Sequence, residues 1–262
     1  MALDYLVTKN EEHPKKIVVH ALGGVGKSTF GVHAAKDNKG LIILGEDGID
    51  EIKDADGIPR VAPTVWDYST IQAERDAEIA SGVKSFKGVL KDLMVEDHKF
   101  GSLTIDTLDA FMPRLDAWVV KNNYAGDFKK ADAYKTKYND YVREMNAVLL
   151  AFDYLNKKRN MEIIVLVHSV VNNHRDPSSE AWKRWELNLP GGDKTSLGAM
   201  VYDWATTVLY GAYDIQGDNK TTDRVAYTKW TPTYDAKDHL GLPDKIKFDY
   251  KSFKKLITGG KK

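Results

Sequence analysis

Residues 21–29 read Ala-Leu-Gly-Gly-Val-Gly-Lys-Ser-Thr, and each residue type in that run suits the wrapping of a phosphate. Backbone N–H groups reach phosphate oxygens only where side chains stay out of the way. Gly23, Gly24 and Gly26 give that clearance. Lys27 offers a mobile cation for the β- and γ-phosphates, and the Ser28 hydroxyl suits Mg²⁺. A helix opening near Ser28 would aim its positive end at the same group. Together with Val25 and Thr29, these residues make a Walker A loop for ATP, with alanine at the first glycine position.

Three further positions could complete the chemistry. Asp106 follows the apolar Leu103-Thr104-Ile105, which places a carboxylate at the carboxyl end of a strand, where open α/β sheets bind ligands. There it would hold Mg²⁺, in a Walker B arrangement; its structural alternative is a helix N-cap. Glu46 stands in Leu44-Gly45-Glu46-Asp47-Gly48 and could polarise the water that attacks a γ-phosphate. Its neighbour Asp47 is as acidic, and both could be solvated loop acids. His168-Ser169 ends the most apolar run of the chain; the histidine could bond a γ-phosphate or be a satisfied residue at a strand edge.

The elements that must position these groups are legible as patterns. Ile17-Val18-Val19, Leu41-Ile42-Ile43-Leu44 and Ile163-Ile164-Val165-Leu166-Val167 are short continuous apolar runs, as expected of parallel strands covered on both faces. Leu103 to Ile105 and Thr206-Thr207-Val208-Leu209-Tyr210 are weaker candidates. Val83, Phe86, Leu90 and Leu93 share a helical face, as do Ala131, Tyr134, Tyr138, Tyr141, Met145, Val148, Phe152 and Leu155; the latter series could pack on a partner helix, with lying on the sheet as the plainer reading. Strands alternating with helices imply an α/β fold, a mostly parallel twisted sheet with helices on both faces. The 262 residues fit one domain, with about residues 1–15 as an N-terminal extension and about 254–262 as a flexible tail. There is no cysteine, hence no thiolate metal site. Lys plus Arg and Asp plus Glu are 38 each, so composition gives no sign of a nucleic-acid partner. No run approaches the ~20 apolar residues of a membrane span, and no signal peptide is read, so a cytoplasmic location is expected.

The order of these motifs resembles the RecA-like P-loop ATPases, and more narrowly the short phage-encoded Sak-type proteins of recombination and single-strand annealing. Val167-His168-Ser169, Trp185-Glu186-Leu187, Asp203-Trp204-Ala205 and Tyr234-Asp235-Ala236-Lys237-Asp238-His239 carry the narrower likeness. The resemblance implies that Glu46 is the catalytic acid and that His168 couples the γ-phosphate to a loop, residues 170–197, which contacts single-stranded DNA. That loop holds Arg175, Lys183, Arg184 and Lys194 beside Trp182 and Trp185, and cations with aromatic faces suit unpaired nucleotides. It also holds Asp176, Glu180, Glu186 and Asp193, and an ordinary polar loop with both tryptophans tucked inward is the plainer reading. The resemblance makes Lys237 a finger reaching a neighbouring subunit's nucleotide; otherwise it is a surface lysine. His239 departs from the family, which often has arginine there.

The motifs imply an ATP- and Mg²⁺-dependent ATPase, and the resemblance implies DNA recombination or annealing, a homo-oligomeric ring or filament, and action on single-stranded DNA. The alternatives are a nucleotide-gated mediator recruiting a single-strand-binding protein, and a P-loop kinase of a small molecule. Tyr234 is a positional candidate for facing adenine, with core packing as its alternative.

Overall fold

A computed structural model describes residues 12–133, 136–175, 180–191, 196–216 and 219–259. Its strands are β1 (Lys16–Ala21), β2 (Leu41–Leu44), β3 (Arg60–Val61), β4 (Ser102–Asp106), β5 (Glu162–His174), β6 (Trp182–Leu187), β7 (Thr207–Gln216), β8 (Asn219–Tyr227), β9 (Lys237–Asp238) and β10 (Lys245–Lys247). Its helices are α1 (Lys27–Asn38), α2 (Gln72–Ala80), α3 (Phe86–Val95), α4 (Met112–Tyr124), α5 (Phe128–Asp132), α6 (Thr136–Lys158), α7 (Leu197–Trp204) and α8 (Tyr250–Gly259).

The sheet order is β10-β8-β7-β1-β5-β4-β2-β3. From β7 to β3 every pairing is parallel, whereas β8 and β10 add an antiparallel edge. This is the α/β class expected from the strand–helix alternation. All five apolar runs are strands, and their side chains divide between the faces with period two. Val18, Ile105, Ile163, Val165 and Val167 pack beneath α3, α4, α6 and α7. Ile17, Val19, Ile164, Leu166 and Leu209 pack against Phe30 of α1 and Phe253 of α8.

Several boundaries differ from the sequence reading. The first helical series starts at Phe86 rather than Val83, because Ser85 caps the helix by accepting the Gly88 N–H at 2.7 Å. The second divides: Ala131 belongs to α5 and the rest, from Tyr138 onward, to α6, while Tyr134 lies outside the described residues. As expected, α6 lies on the sheet, with Met145, Val148, Phe152 and Leu155 buried. The expected C-terminal tail is helical as far as Gly259. Tyr250 holds that helix in place by donating to Glu162 at 2.5 Å, beside the Lys254 ammonium, 3.4 Å from the same carboxylate. Strands β6, β8, β9 and β10 are polar or very short and left no apolar run to read.

Burial decides which residues of α6 hold the fold. Phe152 is 0% exposed and Leu150 68%. Phe152→Ala is expected to cost about 3–5 kcal/mol and Leu150→Ala to stay within about 0.5 kcal/mol, as measured by urea unfolding.

Candidate functional site

The phosphate loop runs from the end of β1 into α1. Gly26 is the N-cap of α1 at φ 109°, a left-handed conformation that a side chain would strain. A Cβ there would also stand 2.6 Å from the Arg224 guanidinium. No side chain caps α1, and its first turn holds no acid, so its opening N–H groups are left for a ligand. Lys27 is buried, and its ammonium donates to the carbonyls of Ala21 and Leu22, each at 3.1 Å. Burial pulls its pKa down, opposed by the charges of Asp109, Glu46 and Asp106.

Asp106 ends β4 at 4% exposure. Burial, the largest cause, pushes its pKa up to about 6, against a hydrogen bond from Ser28 and the charges of Lys27 and His168. Its Oδ1 is buried with no hydrogen-bond partner, whereas a buried carboxylate oxygen normally has one. Among the described residues no cluster of three or more His, Cys, Asp or Glu could hold a metal by itself. One carboxylate beside a serine hydroxyl instead suits Mg²⁺, which takes few protein ligands and fills its shell with phosphate oxygens and water. The donor set of Ser28 and Asp106 therefore fits that ion.

Glu46 follows β2 and is drawn to the same end of the sheet. Gly45 donates its N–H to the Asp106 carbonyl at 2.8 Å, and a Cβ on Gly45 would meet the Thr107 carbonyl at 2.5 Å. The Thr107 hydroxyl donates to Glu46 Oε1 at 3.3 Å. His168 Nε2 lies 3.9 Å from that same oxygen. His168 reaches this point because β5 lies between β1 and β4, so its side chain projects between the phosphate loop and the two acids.

Two groups escaped the sequence reading. Asp109 opens a 3-10 turn, Asp109–Phe111. It accepts the His168 backbone N–H at 3.0 Å and meets His168 Nδ1 at 2.9 Å. Its one sequence signal was an acid three residues beyond Asp106. Tyr213 and Arg224, cross-strand partners in the β7–β8 pair, reach the Gly24 and Val25 carbonyls, each at 3.4 Å. Beside them a cavity of about 780 Å³ opens along Gly26, Thr29, Phe30, His33 and Phe248, within the size range of small-molecule sites. Nothing in the polar β8 sequence signalled it.

Residues 170–197 are not a simple loop. β5 continues to His174 and pairs antiparallel with β6, from Ser169↔Leu187 to His174↔Trp182. Arg184 lies 3.7 Å from Glu186 and 3.6 Å from Asp235. Trp185 stacks on Tyr210 and is bonded through its backbone to Thr233 and Asp235. Trp182 lies against His174 at 5.6 Å. Lys183 and Arg175 are exposed; Lys194 and the acids Asp176 and Asp193 lie outside the described residues. The half-buried Tyr234 lies against Tyr210, stacked at 4.9 Å, and against Tyr227, tilted at 4.8 Å. Lys237 donates to the Tyr202 and Asp203 carbonyls at 3.1 and 2.9 Å, at the C-terminus of α7, where cations are favoured. It pairs with Val208, opposite Val18, three residues short of the phosphate-loop end of β1.

A family model described as an AAA domain matches residues 13–240. No curated protein matches the chain. Among solved structures, the crystal structure of the RadB recombinase matches with a TM-score of 0.45 and 13% identity over 92% of this chain and 90% of that one.

The raised pKa of Asp106 has a stability consequence. Folding favours its protonated form, so the ionised carboxylate costs stability; the cost is complete above about pH 6 and fades as pH falls toward the unfolded value of 3.8. In metal-free protein, Asp106→Asn is expected to raise stability by about 1–3 kcal/mol near pH 7.5, with the gain shrinking toward about pH 4. Urea unfolding at both pH values checks this.

Proposed function

Because the chain belongs to the AAA domain family, whose model spans residues 13–240, we propose that it is a RecA-like ATPase that binds ATP with Mg²⁺ and hydrolyses it. The observation that carries this reading is the buried, unpartnered Oδ1 of Asp106, beside Ser28 at the mouth of the phosphate loop. The loop N–H groups and Lys27 would hold the β- and γ-phosphates. Ser28 and Asp106 would hold Mg²⁺, which would neutralise charge developing on the phosphoryl oxygens. Glu46 would take the proton of the attacking water.

The biological setting rests on the sequence resemblance to the phage-encoded Sak-type proteins: DNA recombination or single-strand annealing, with action on single-stranded DNA. The exposed cations Lys183 and Arg175, on the hairpin that prolongs the His168 strand, suit that partner. In a ring or filament Lys237 would serve a neighbouring copy only by leaving the Tyr202 and Asp203 carbonyls that it caps within its own chain.

The test is ATP turnover with and without single-stranded DNA. Lys27→Ala is expected to abolish turnover. Glu46→Gln is expected to lower it by about a hundredfold or more while ATP still binds. Single-stranded DNA is expected to stimulate several-fold, an effect lost in Arg175→Ala/Lys183→Ala. Lys27-dependent turnover that ignores DNA would transfer the reading to a nucleotide-gated mediator recruiting a single-strand-binding protein. Turnover that requires a small-molecule acceptor would make the protein a kinase.

A further inference from the structure

Asp109 opens the 3-10 turn after β4 and turns its side chain to His168. Its side chain is 10% exposed, and its two oxygens have different tasks. Oδ1 accepts the backbone N–H of His168 at 3.0 Å. Oδ2 meets His168 Nδ1 at 2.9 Å and accepts from the Asn188 amide at 3.4 Å. A carboxylate offers acceptors only, so the imidazole proton must sit on Nδ1. In the neutral ring Nε2 then keeps its lone pair, and it points toward Glu46, with Oε1 3.9 Å away. Two acceptors at that separation do not bond to each other. One water molecule, at about 2.8 Å from each, can donate a proton to both.

We propose that Asp109 is a positioning residue that locks His168 in its Nδ1–H tautomer, so that His168 Nε2 and Glu46 Oε1 jointly hold the two protons of the attacking water. This deepens the ATPase reading and rests on it. Gripped by both protons, the water turns its lone pairs away from the two acceptors and toward the phosphate loop. As its oxygen bonds to the γ-phosphorus, the bond to the bridging oxygen breaks and that electron pair leaves with ADP. One water proton passes to the Glu46 carboxylate and the other stays on the new phosphate. The opposite tautomer would spoil the arrangement: Nε2–H has no lone pair to accept a water proton, so the water would be held by Glu46 alone. Asp109 thus stands to His168 as a triad carboxylate stands to its histidine, fixing the tautomer without accepting the proton. The Asn188 contact adds a tie to the end of β6, whose Asn188 N–H also donates to the His168 carbonyl at 2.8 Å.

Asp109→Asn separates this role from general scaffolding. The amide oxygen can still accept the His168 backbone N–H, while the NH₂ group faces Nδ1 and drives the ring proton to Nε2. The experiment uses the full chain with ¹⁵N-labelled histidine, the His168 signals being assigned from their loss in His168→Gln. Wild-type protein is expected to show Nδ1–H at His168 and Asp109→Asn to show Nε2–H. Single-turnover ATP hydrolysis in Asp109→Asn is expected to fall by about a hundredfold or more, with the Kd for MgATP within about threefold of wild type. An Nε2–H tautomer in wild-type protein overturns the proposal, and that reading needs no variant to fold. A variant that changes tautomer yet hydrolyses at the wild-type rate overturns the water-holding role. Wild-type protein that binds MgATP and never hydrolyses it defeats the ATPase reading, and the water's role with it, while an Nδ1–H signal would leave the Asp109 lock standing.

Discussion

A carboxylate at 4% exposure with one oxygen unpartnered is costly to keep charged, because burial removes its hydration and nothing within the chain fully replaces it. Much of the structure around the phosphate loop can be read as holding Asp106 in that condition. Its backbone is fixed in β4, bonded to β2 on one side and β5 on the other. Its carbonyl is held by the Gly45 N–H, which draws the Glu46 loop across the strand end. Lys27, also buried and also pulled from its ordinary pKa, faces the same space and is folded back onto two loop carbonyls. Two opposite charges, each short of solvent, form a site where an anionic ligand with a divalent cation satisfies both at once. The strain is electrostatic, and the dense packing of the central strands sustains it.

The second constraint is the insertion of β5 between the strand that feeds the phosphate loop and the strand that ends in Asp106. This order sets the phosphate-loop strand and the strand that ends in Asp106 one strand spacing, about 5 Å, to either side of the strand that carries His168. Glu46, Asp109 and His168 meet there without any of them being adjacent in sequence. The same order makes β5 a single rod with two environments: Ile163 to Val167 are fully buried, while the same strand beyond Ser169 leaves the main sheet and pairs only with β6. Asn188 closes that hairpin back onto Asp109 and His168. A displacement of His168 is therefore shared by backbone and side-chain hydrogen bonds with the base of the hairpin, a contiguous physical link of the kind that carries coupling between sites.

How much of this the sequence disclosed follows from the physics of each residue. The phosphate loop was legible because its chemistry demands local composition: glycine clearance, a lysine and a hydroxyl within nine residues. Asp106 and Glu46 were legible because each follows a short apolar run, Leu103 to Ile105 and Leu41 to Leu44, bounded by polar or glycine residues as covered strands are, and ligands gather at strand ends. Asp109 was not, since an acid in a turn carries no mark of the histidine 59 positions away that it contacts. The same holds for Arg224, whose role lies in a cross-strand register with Tyr213 and a close approach to Gly26. His20, in β1, is a further case. Burial, the largest cause, lowers its pKa to about 4, and it bonds Ser169 and the Asp235 carbonyl at 2.9 and 2.7 Å, tying the phosphate-loop strand to the hairpin strand. Local patterns report local constraints; long-range polar pairings leave no period.

The hairpin shows the same limit in a different form. Read as a loop, Arg184, Lys183, Trp182 and Trp185 were one cationic and aromatic patch. As a strand, β6 sends alternate residues to opposite faces. Trp182, Arg184 and Glu186 share one face with His174, where Arg184 stands between Glu186 and Asp235. Asp235 itself is raised to about 6 by burial, then by the charge of Glu186, so that face is acidic around its arginine. Lys183 and Trp185 take the other face, and Trp185 is committed to Tyr210. A polyanion drawn to this hairpin would meet two carboxylates on one side and an exposed lysine on the other. The period of two therefore divides the residues that stand together in the linear sequence: Arg184 keeps Trp182 beside it on one face, and Lys183 is exposed on the other.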